Sequence, residues 1–191
     1  MATMVFPAVL DTYIFSSQTN PNDSQEGAGS LVSRTVYGDI LSQPILKFNC
    51  SSDTTSLDKI IAVNLTFECQ SGSGVFHKFY PLNRAVGDNV TWPYYSGWQA
   101  WAVPGAFAVP QDRSGTALCQ KAIAQGYQEV PIDKTAYVNW RGGSAALIVV
   151  PENSGDWTTR IYGTGNTSTS NWPKIVVEYI PPTRAMYILG G

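Results

Sequence analysis

The chain has 191 residues, of which 43% are hydrophobic and 14% are charged, and its formal net charge is −2. This length suits one domain with a sizeable core. The longest apolar stretches, such as residues 145–150, fall far short of the roughly 20 residues that span a bilayer. The chain has no run of Lys or Arg to neutralise several phosphates at once. We therefore expect a soluble single domain that binds neither membrane nor nucleic acid.

The N-terminal ten residues do not form a signal peptide. They lack a basic region, and Pro7 interrupts their apolar stretch. We expect the protein to stay where it is made, unless it leaves by lysis or inside a particle.

The cysteines are far apart along the chain, and the sole histidine, His77, cannot complete a zinc site with them. We expect no metal and no cofactor. One disulfide, such as Cys50 to Cys69, stays open as an alternative.

Several segments alternate apolar and polar residues with a period of two, which is typical of β-strands. In chain order, the predicted strands cover residues 12–15, 30–37, 45–48, 60–67, 145–150 and 174–180. The segment 145–150 is continuously apolar, as a strand buried on both faces would be.

One short helix is predicted, at residues 116–124, with the sequence Thr-Ala-Leu-Cys-Gln-Lys-Ala-Ile-Ala. Turn signals recur about every 8 to 12 residues, which indicates an all-β chain. We predict a single antiparallel β-sandwich of jelly-roll type with at most this one helix.

No arrangement of residues points to catalysis. His77 alternates with aromatic residues and is interpreted as a strand residue on a polar face rather than a general base. The 14 acidic residues are scattered, so a glycosidase carboxylate pair remains only an alternative. Residues 112–115 are interpreted as a solvated turn, with a calcium site built from loop oxygens left open. We expect no catalytic residue.

The most aromatic segment, residues 89–105, holds three of the six tryptophans within ten residues, together with Tyr94 and Tyr95. The favoured interpretation is structural: Trp92, Trp98 and Trp101 cover one end of the sandwich under a long connection. The alternative is a stacking surface for sugar rings. In that case Tyr94 and Tyr95 are the expected exposed rings, and with Trp98 they are the candidate glycan-binding residues.

Six short motifs share an order along the chain with a known family. They are Asp-Thr-Tyr-Ile at 11–14, Ile-Leu-Lys-Phe-Asn at 45–49, Ile-Ile-Ala-Val-Asn-Leu at 60–65, Val-Thr-Trp at 90–92, Trp-Ala-Val-Pro-Gly at 101–105 and Trp-Pro-Lys-Ile-Val-Val-Glu-Tyr at 172–179. Together they resemble the DNRLRE domain, a jelly-roll module of microbial surface proteins, secreted enzymes and some phage virion proteins. Asn49 departs from the family pattern, which has Asp there.

The resemblance implies a jelly-roll fold, no catalytic residues, and a role in binding polysaccharide such as alginate or in building surfaces. It places the domain at residues 11–181, between an N-terminal arm at 1–10 and a C-terminal tail at 182–191.

A sugar-binding module normally accompanies an enzyme or an exported protein, whereas this chain stands alone without an export signal. We therefore predict a non-enzymatic phage virion structural protein, a capsid decoration or cement protein or part of a head fibre. Its expected partners are capsid or other virion proteins and further copies of itself. It would be made in the host cytoplasm and located in the virion. The alternative is an extracellular carbohydrate-binding module that recognises a polysaccharide.

Both ends of the chain carry apolar side chains that the sandwich does not need. Burying one such side chain in a partner contributes about 1.5–3 kcal/mol, so the ends are predicted to be docking arms. Packing of the ends against their own domain is the alternative. The candidate docking residues are Met4, Val5, Phe6, Met186, Tyr187, Ile188 and Leu189.

Overall fold

The computed structural model describes residues 1–18, 25, 27–37, 39–87, 89–143, 145–152 and 155–182. This part of the chain forms one all-β domain with one short α-helix, as predicted. The strands are β1 (Ala2–Phe15), β2 (Ser30–Val36), β3 (Asp39–Phe48), β4 (Ile60–Pro81), β5 (Tyr94–Ser96), β6 (Gln99–Ala100), β7 (Cys119–Pro131), β8 (Ala146–Pro151), β9 (Trp157–Tyr162) and β10 (Lys174–Tyr179). The helix is α1 (Lys134–Arg141). Within the described residues, no helix has the length and apolar character needed to cross a membrane.

Seven antiparallel strands close into a barrel in the order β1-β10-β4-β8-β3-β2-β9, and β9 returns to pair with β4. The predicted all-β antiparallel fold is confirmed, and its strands close into a barrel rather than forming an open sandwich. The physical reason is the length of β4, which has 22 residues. It pairs with β10 near its start, with β9 in its middle and with β8 near its end, so this one strand connects three others in the barrel. The remaining long strand, β7, lies beside β4.

The first strand changes its partner along its length. Residues Ala2 to Pro7 pair with β10, and residues Ala8 to Phe15 pair with β3, with a bulge between Ala8 and Leu10. The segment 1–10, expected as an arm outside the domain, is therefore part of the sheet.

Strands β3 and β8 are buried on both faces. Leu46 and Leu147 belong to the main core inside the barrel. Their sequence neighbours Ile45 and Ile148 belong to a second core on the opposite face of the sheet, which the aromatic segment covers. All six residues of β8 are buried, which confirms the prediction from its continuous apolar run.

The predicted helix at residues 116–124 is wrong, because residues from Cys119 onward form β7 and pair with β4. Ala, Gln and Lys favour a helix in isolation, but strand pairing in the folded protein overrides that weak preference. The helix lies further on, at α1. The Asp133 side chain accepts a hydrogen bond from the Ala136 amide at 2.9 Å and so caps its first turn. Tyr137 and Trp140, three residues apart, bury one side of α1.

All three cysteines are free and buried, so the alternative of a Cys50–Cys69 disulfide is not formed. Burial raises the pKa of the Cys50 and Cys119 thiols to about 12 and that of Cys69 to about 11. The thiols are therefore protonated near neutral pH and pack as small hydrophobic groups.

Candidate functional site

Trp92 and Trp101 pack in the second core together with residues of β1, β3 and β8, and so hold the aromatic segment against the barrel. Trp101 is 4% exposed, and its indole nitrogen donates a hydrogen bond to the Thr91 carbonyl at 3.0 Å. The Trp92 ring meets Phe107 edge to face, with 5.6 Å between the ring centroids. A Cβ at Gly105 would lie 2.6 Å from the Phe107 ring, so a larger residue would push these rings apart. These contacts fit the structural interpretation of Trp92 and Trp101.

The side chain of Asp112 also holds the aromatic segment, through hydrogen bonds to its fully buried carboxylate. It accepts hydrogen bonds from the amides of Ala102 at 2.9 Å and Val103 at 3.0 Å. It also accepts one from Nε of Arg84 at 3.2 Å. The interpretation of residues 112–115 as a solvated turn is therefore wrong for Asp112, whereas Gly115 at the end of this range is exposed. In the described ranges, no group of three or more His, Cys, Asp or Glu side chains is placed to hold a metal ion.

The two short strands β5 and β6 form a hairpin with Trp98 at its tip. Ser96 pairs with Gln99, which leaves Gly97 and Trp98 as the two turn residues. Gly97 has a φ of +49°, the positive value that tight two-residue hairpins require. Trp98 is 73% exposed, and its ring meets Tyr94 edge to face at 5.4 Å. The hairpin thus presents an indole to the surroundings.

Tyr95 is placed differently from its neighbour in sequence. Its ring packs against Trp101 at a centroid distance of 5.5 Å, and the Arg84 guanidinium lies over it at 5.3 Å. Both Tyr94 and Tyr95 are half-buried, whereas the sequence led us to expect them as the exposed rings. Of the three candidate glycan-binding residues, Trp98 is the exposed one and Tyr94 supports it.

The N-terminal docking candidates divide by the face of β1 on which they lie. Met4 and Phe6 are partly buried and pack against the main core, as the alternative interpretation required. Val5 points the other way and is 51% exposed. The C-terminal candidates Met186, Tyr187, Ile188 and Leu189 lie outside the described residues.

One edge of the segment from Ala2 to Pro7 has no strand beside it in the described part of the chain. The Ala8 amide donates to the Pro173 carbonyl at 2.8 Å, on the side where β10 lies. Backbone groups alternate sides along a strand, so those of Met4 and Phe6 face β10 and those of Thr3 and Val5 face outward. Pro7, which has no N–H, is tolerated at such an edge.

Sequence reasoning missed a buried charge network that fastens α1. The Asp53 carboxylate accepts hydrogen bonds from the Thr55 amide at 2.9 Å, the Tyr137 hydroxyl at 2.8 Å and Nη1 of Arg141 at 2.8 Å. Burial alone would raise the pKa of Asp53, but these hydrogen bonds and the Arg141 charge together lower it. Because Asp53 and Tyr137 are 84 positions apart, no local pattern links them.

Asp11, the first residue of the motif at 11–14, contacts two loops. Its backbone carbonyl accepts a hydrogen bond from the Gly27 amide at 3.0 Å, and its side chain bonds Thr164. Its buried carboxylate accepts hydrogen bonds from the Thr164 hydroxyl at 2.8 Å and from the Thr164 amide. Burial raises the pKa of Asp11, and the Thr164 hydrogen bonds partly offset that rise. The loops approach so closely that a Cβ at Gly163 would lie 2.1 Å from the Ala28 carbonyl oxygen. Asp11 therefore has a structural role.

His77 is fully buried and does not lie on the polar face expected for it. Its Nδ1 donates to the Val75 carbonyl at 2.8 Å, and its ring meets Trp157 edge to face at 5.2 Å. Burial lowers the pKa of His77 to about 4, so the ring is neutral at neutral pH.

No family model and no curated protein matches this chain. The resemblance to the DNRLRE domain therefore stays a prediction from the six motifs.

We predict that His77 makes stability depend on pH. The unfolded chain protonates His77 near pH 6.5, whereas the folded protein protonates it near pH 4. The free energy of unfolding should fall as the pH drops from 6.5 to 4, by at most about 1.4 kcal/mol per pH unit. Urea denaturation at several pH values measures this slope. His77→Gln should remove this part of the slope and Trp98→Ala should keep it, while equal slopes in His77→Gln and wild type would contradict the prediction.

Proposed function

We propose that the protein is a non-enzymatic structural protein of a phage particle, a capsid decoration or cement protein that stabilises the particle through protein–protein contacts. The observation that best supports this proposal is the free edge of β1 between Ala2 and Pro7. An open edge presents a row of backbone donors and acceptors, and a strand from another chain can pair with it.

In the described part of the chain, β7 also has an unpaired edge, on the side away from β4. On β7, the Gln128 side chain donates to the carbonyls of Ala124 and Gly126, at 2.9 and 3.2 Å. Nζ of Lys121 donates to the Glu129 carbonyl at 2.9 Å. The Glu129 carbonyl faces away from β4, because the Ile132 amide donates to the Val63 carbonyl of β4 and backbone groups alternate sides along a strand. The Lys121 side chain therefore occupies a backbone acceptor on the free edge of β7. No such side-chain cap covers Thr3 or Val5 in the described part of the chain, which favours β1 as the strand that pairs with a partner.

The side chains of this edge suit a protein partner. Val5 is 51% exposed and Val9 is 58% exposed, so two apolar side chains flank the free backbone groups. A strand added here would gain backbone hydrogen bonds and bury both valines. Under this proposal, a neighbouring virion protein or a second copy of this chain supplies such a strand. The resemblance to a family with members in phage virions supports the same proposal.

We predict that Val5→Pro lowers incorporation into particles at least several-fold, because proline removes an outward N–H that the added strand needs. Val5→Thr keeps that N–H and should be incorporated like wild type. The measurement is an immunoblot across a density gradient of particles produced with each form of the chain. Wild-type protein that is abundant in the lysate yet missing from the particle fractions would refute the structural role. Equal incorporation of both variants would refute the edge as the contact.

A second candidate function, carbohydrate binding, is supported by the exposed hairpin tip. Trp98 offers an indole face that a sugar ring can cover, and the Tyr94 contact holds that indole in place. Under this proposal the site is the pair Trp98 and Tyr94, because Tyr95 is engaged by Trp101 and Arg84.

We predict that, if this second function holds, the protein is retarded in affinity gels that contain alginate, pectin or xylan. Trp98→Ala should abolish the retardation because it removes the stacking surface. Tyr127→Ala is the matched control, since Tyr127 is 62% exposed on a different strand, β7. Wild-type protein that migrates unretarded in all three gels would remove this candidate.

A further inference from the structure

A groove of about 460 Å³ crosses the sheet face formed by β1, β3, β2 and β9. It is distinct from both the Trp98 hairpin and the free edge of β1. Its principal lining side chains are Tyr13, Phe15, Val32, Arg34, Leu41 and Arg160.

Two arginines stand together on one side of this groove. In the pairing of β2 with β9, Val32 lies opposite Arg160, which makes Arg34 and Arg160 diagonal neighbours on the same face. Diagonal neighbours of this kind lie about 7–8 Å apart, and their Cβ atoms are somewhat closer. Both side chains are exposed, and neither belongs to an ion pair in the described part of the chain. Two like charges so placed repel each other, and an anion bound between them would relieve that repulsion.

The opposite side of the groove is apolar. The rings of Tyr13 and Phe15 are half-buried and 6.0 Å apart between centroids. The Tyr13 hydroxyl donates to Oε1 of Gln25 at 3.4 Å. The Ser42 hydroxyl, between the rings and the arginines, donates to the Val32 carbonyl. These two hydroxyls are already engaged, so this side suits an apolar side chain better than the hydroxyl groups of a sugar.

We propose that this groove binds an acidic and apolar segment of a partner protein. Asp or Glu side chains of that segment would lie between the guanidinium groups of Arg34 and Arg160, where a planar guanidinium can hold a carboxylate through two hydrogen bonds. An apolar side chain next to the carboxylate would cover Tyr13 and Phe15. The proposal adds a second contact surface to the protein-contact role proposed above. It concerns side chains on a sheet face, so it does not require the free backbone edge of β1.

The test uses the full chain and a fluorescein-labelled octapeptide of alternating Glu and Leu, with binding followed by fluorescence anisotropy. We expect saturable binding to the wild type that weakens as salt is added. The double variant Arg34→Gln/Arg160→Gln should bind at least tenfold more weakly. The control Lys59→Gln/Lys174→Gln removes the same net charge elsewhere and should bind like wild type. An octapeptide of alternating Glu and Ser should bind several-fold more weakly, because it lacks the apolar side chains.

Three results would overturn the proposal. The first is failure of the Glu–Leu peptide to bind, and the second is equal affinity for wild type and the double arginine variant. The third is displacement of the peptide by an equal concentration of oligogalacturonate or inorganic phosphate, which would assign the groove to a glycan or a free oxyanion. None of these results depends on whether the chain enters particles, so this proposal and the structural role fail separately.

Discussion

The change of partner along β1 is the constraint on which the rest of the structure depends. Its second half, from Ala8, pairs with β3, and its first half continues past the end of β3 to pair with β10. One strand thereby joins two parts of the barrel. The bulge between Ala8 and Leu10 lets the strand bend from one part to the other. The same arrangement leaves the far side of the first half without a neighbouring strand. The partner change of β1 therefore contributes to barrel closure together with the long strand β4, and it also produces the open edge.

The long strand β4 and the aromatic segment bury the remaining apolar side chains of the barrel. Strands β3 and β8 carry core residues on both faces. Apolar side chains must therefore pack against the outer face of these strands as well as inside the barrel. Trp101 provides part of that cover, and the buried Asp112 carboxylate holds the loop in place. Much of the aromatic content of this charge-poor chain is therefore structural. Trp98 is the exception, because it lies at the hairpin tip and faces outward.

Local patterns predicted the strands well because a period of two is a local property. The alternation in residues 60–67 and 174–180 marked parts of β4 and β10, and the apolar run at 145–150 marked β8. Closure of the barrel was not predictable, because it depends on pairing between distant segments. For the same reason residues 116–124 were mistaken for a helix, since pairing with β4 decides their conformation. The roles of Tyr95 and Asp112 also depend on distant contacts, with Trp101, Arg84 and the loop amides.

Hydrogen exchange at the first strand tests the central claim most directly, provided it is measured on dilute protein so that self-association does not protect the edge. The amides of Met4 and Phe6, which face β10, should exchange much more slowly than those of Thr3 and Val5, which face outward. This alternation is expected only if the segment is a paired strand with one open side. Equal protection of all four amides would contradict the open edge, and equally rapid exchange of all four would contradict the pairing with β10.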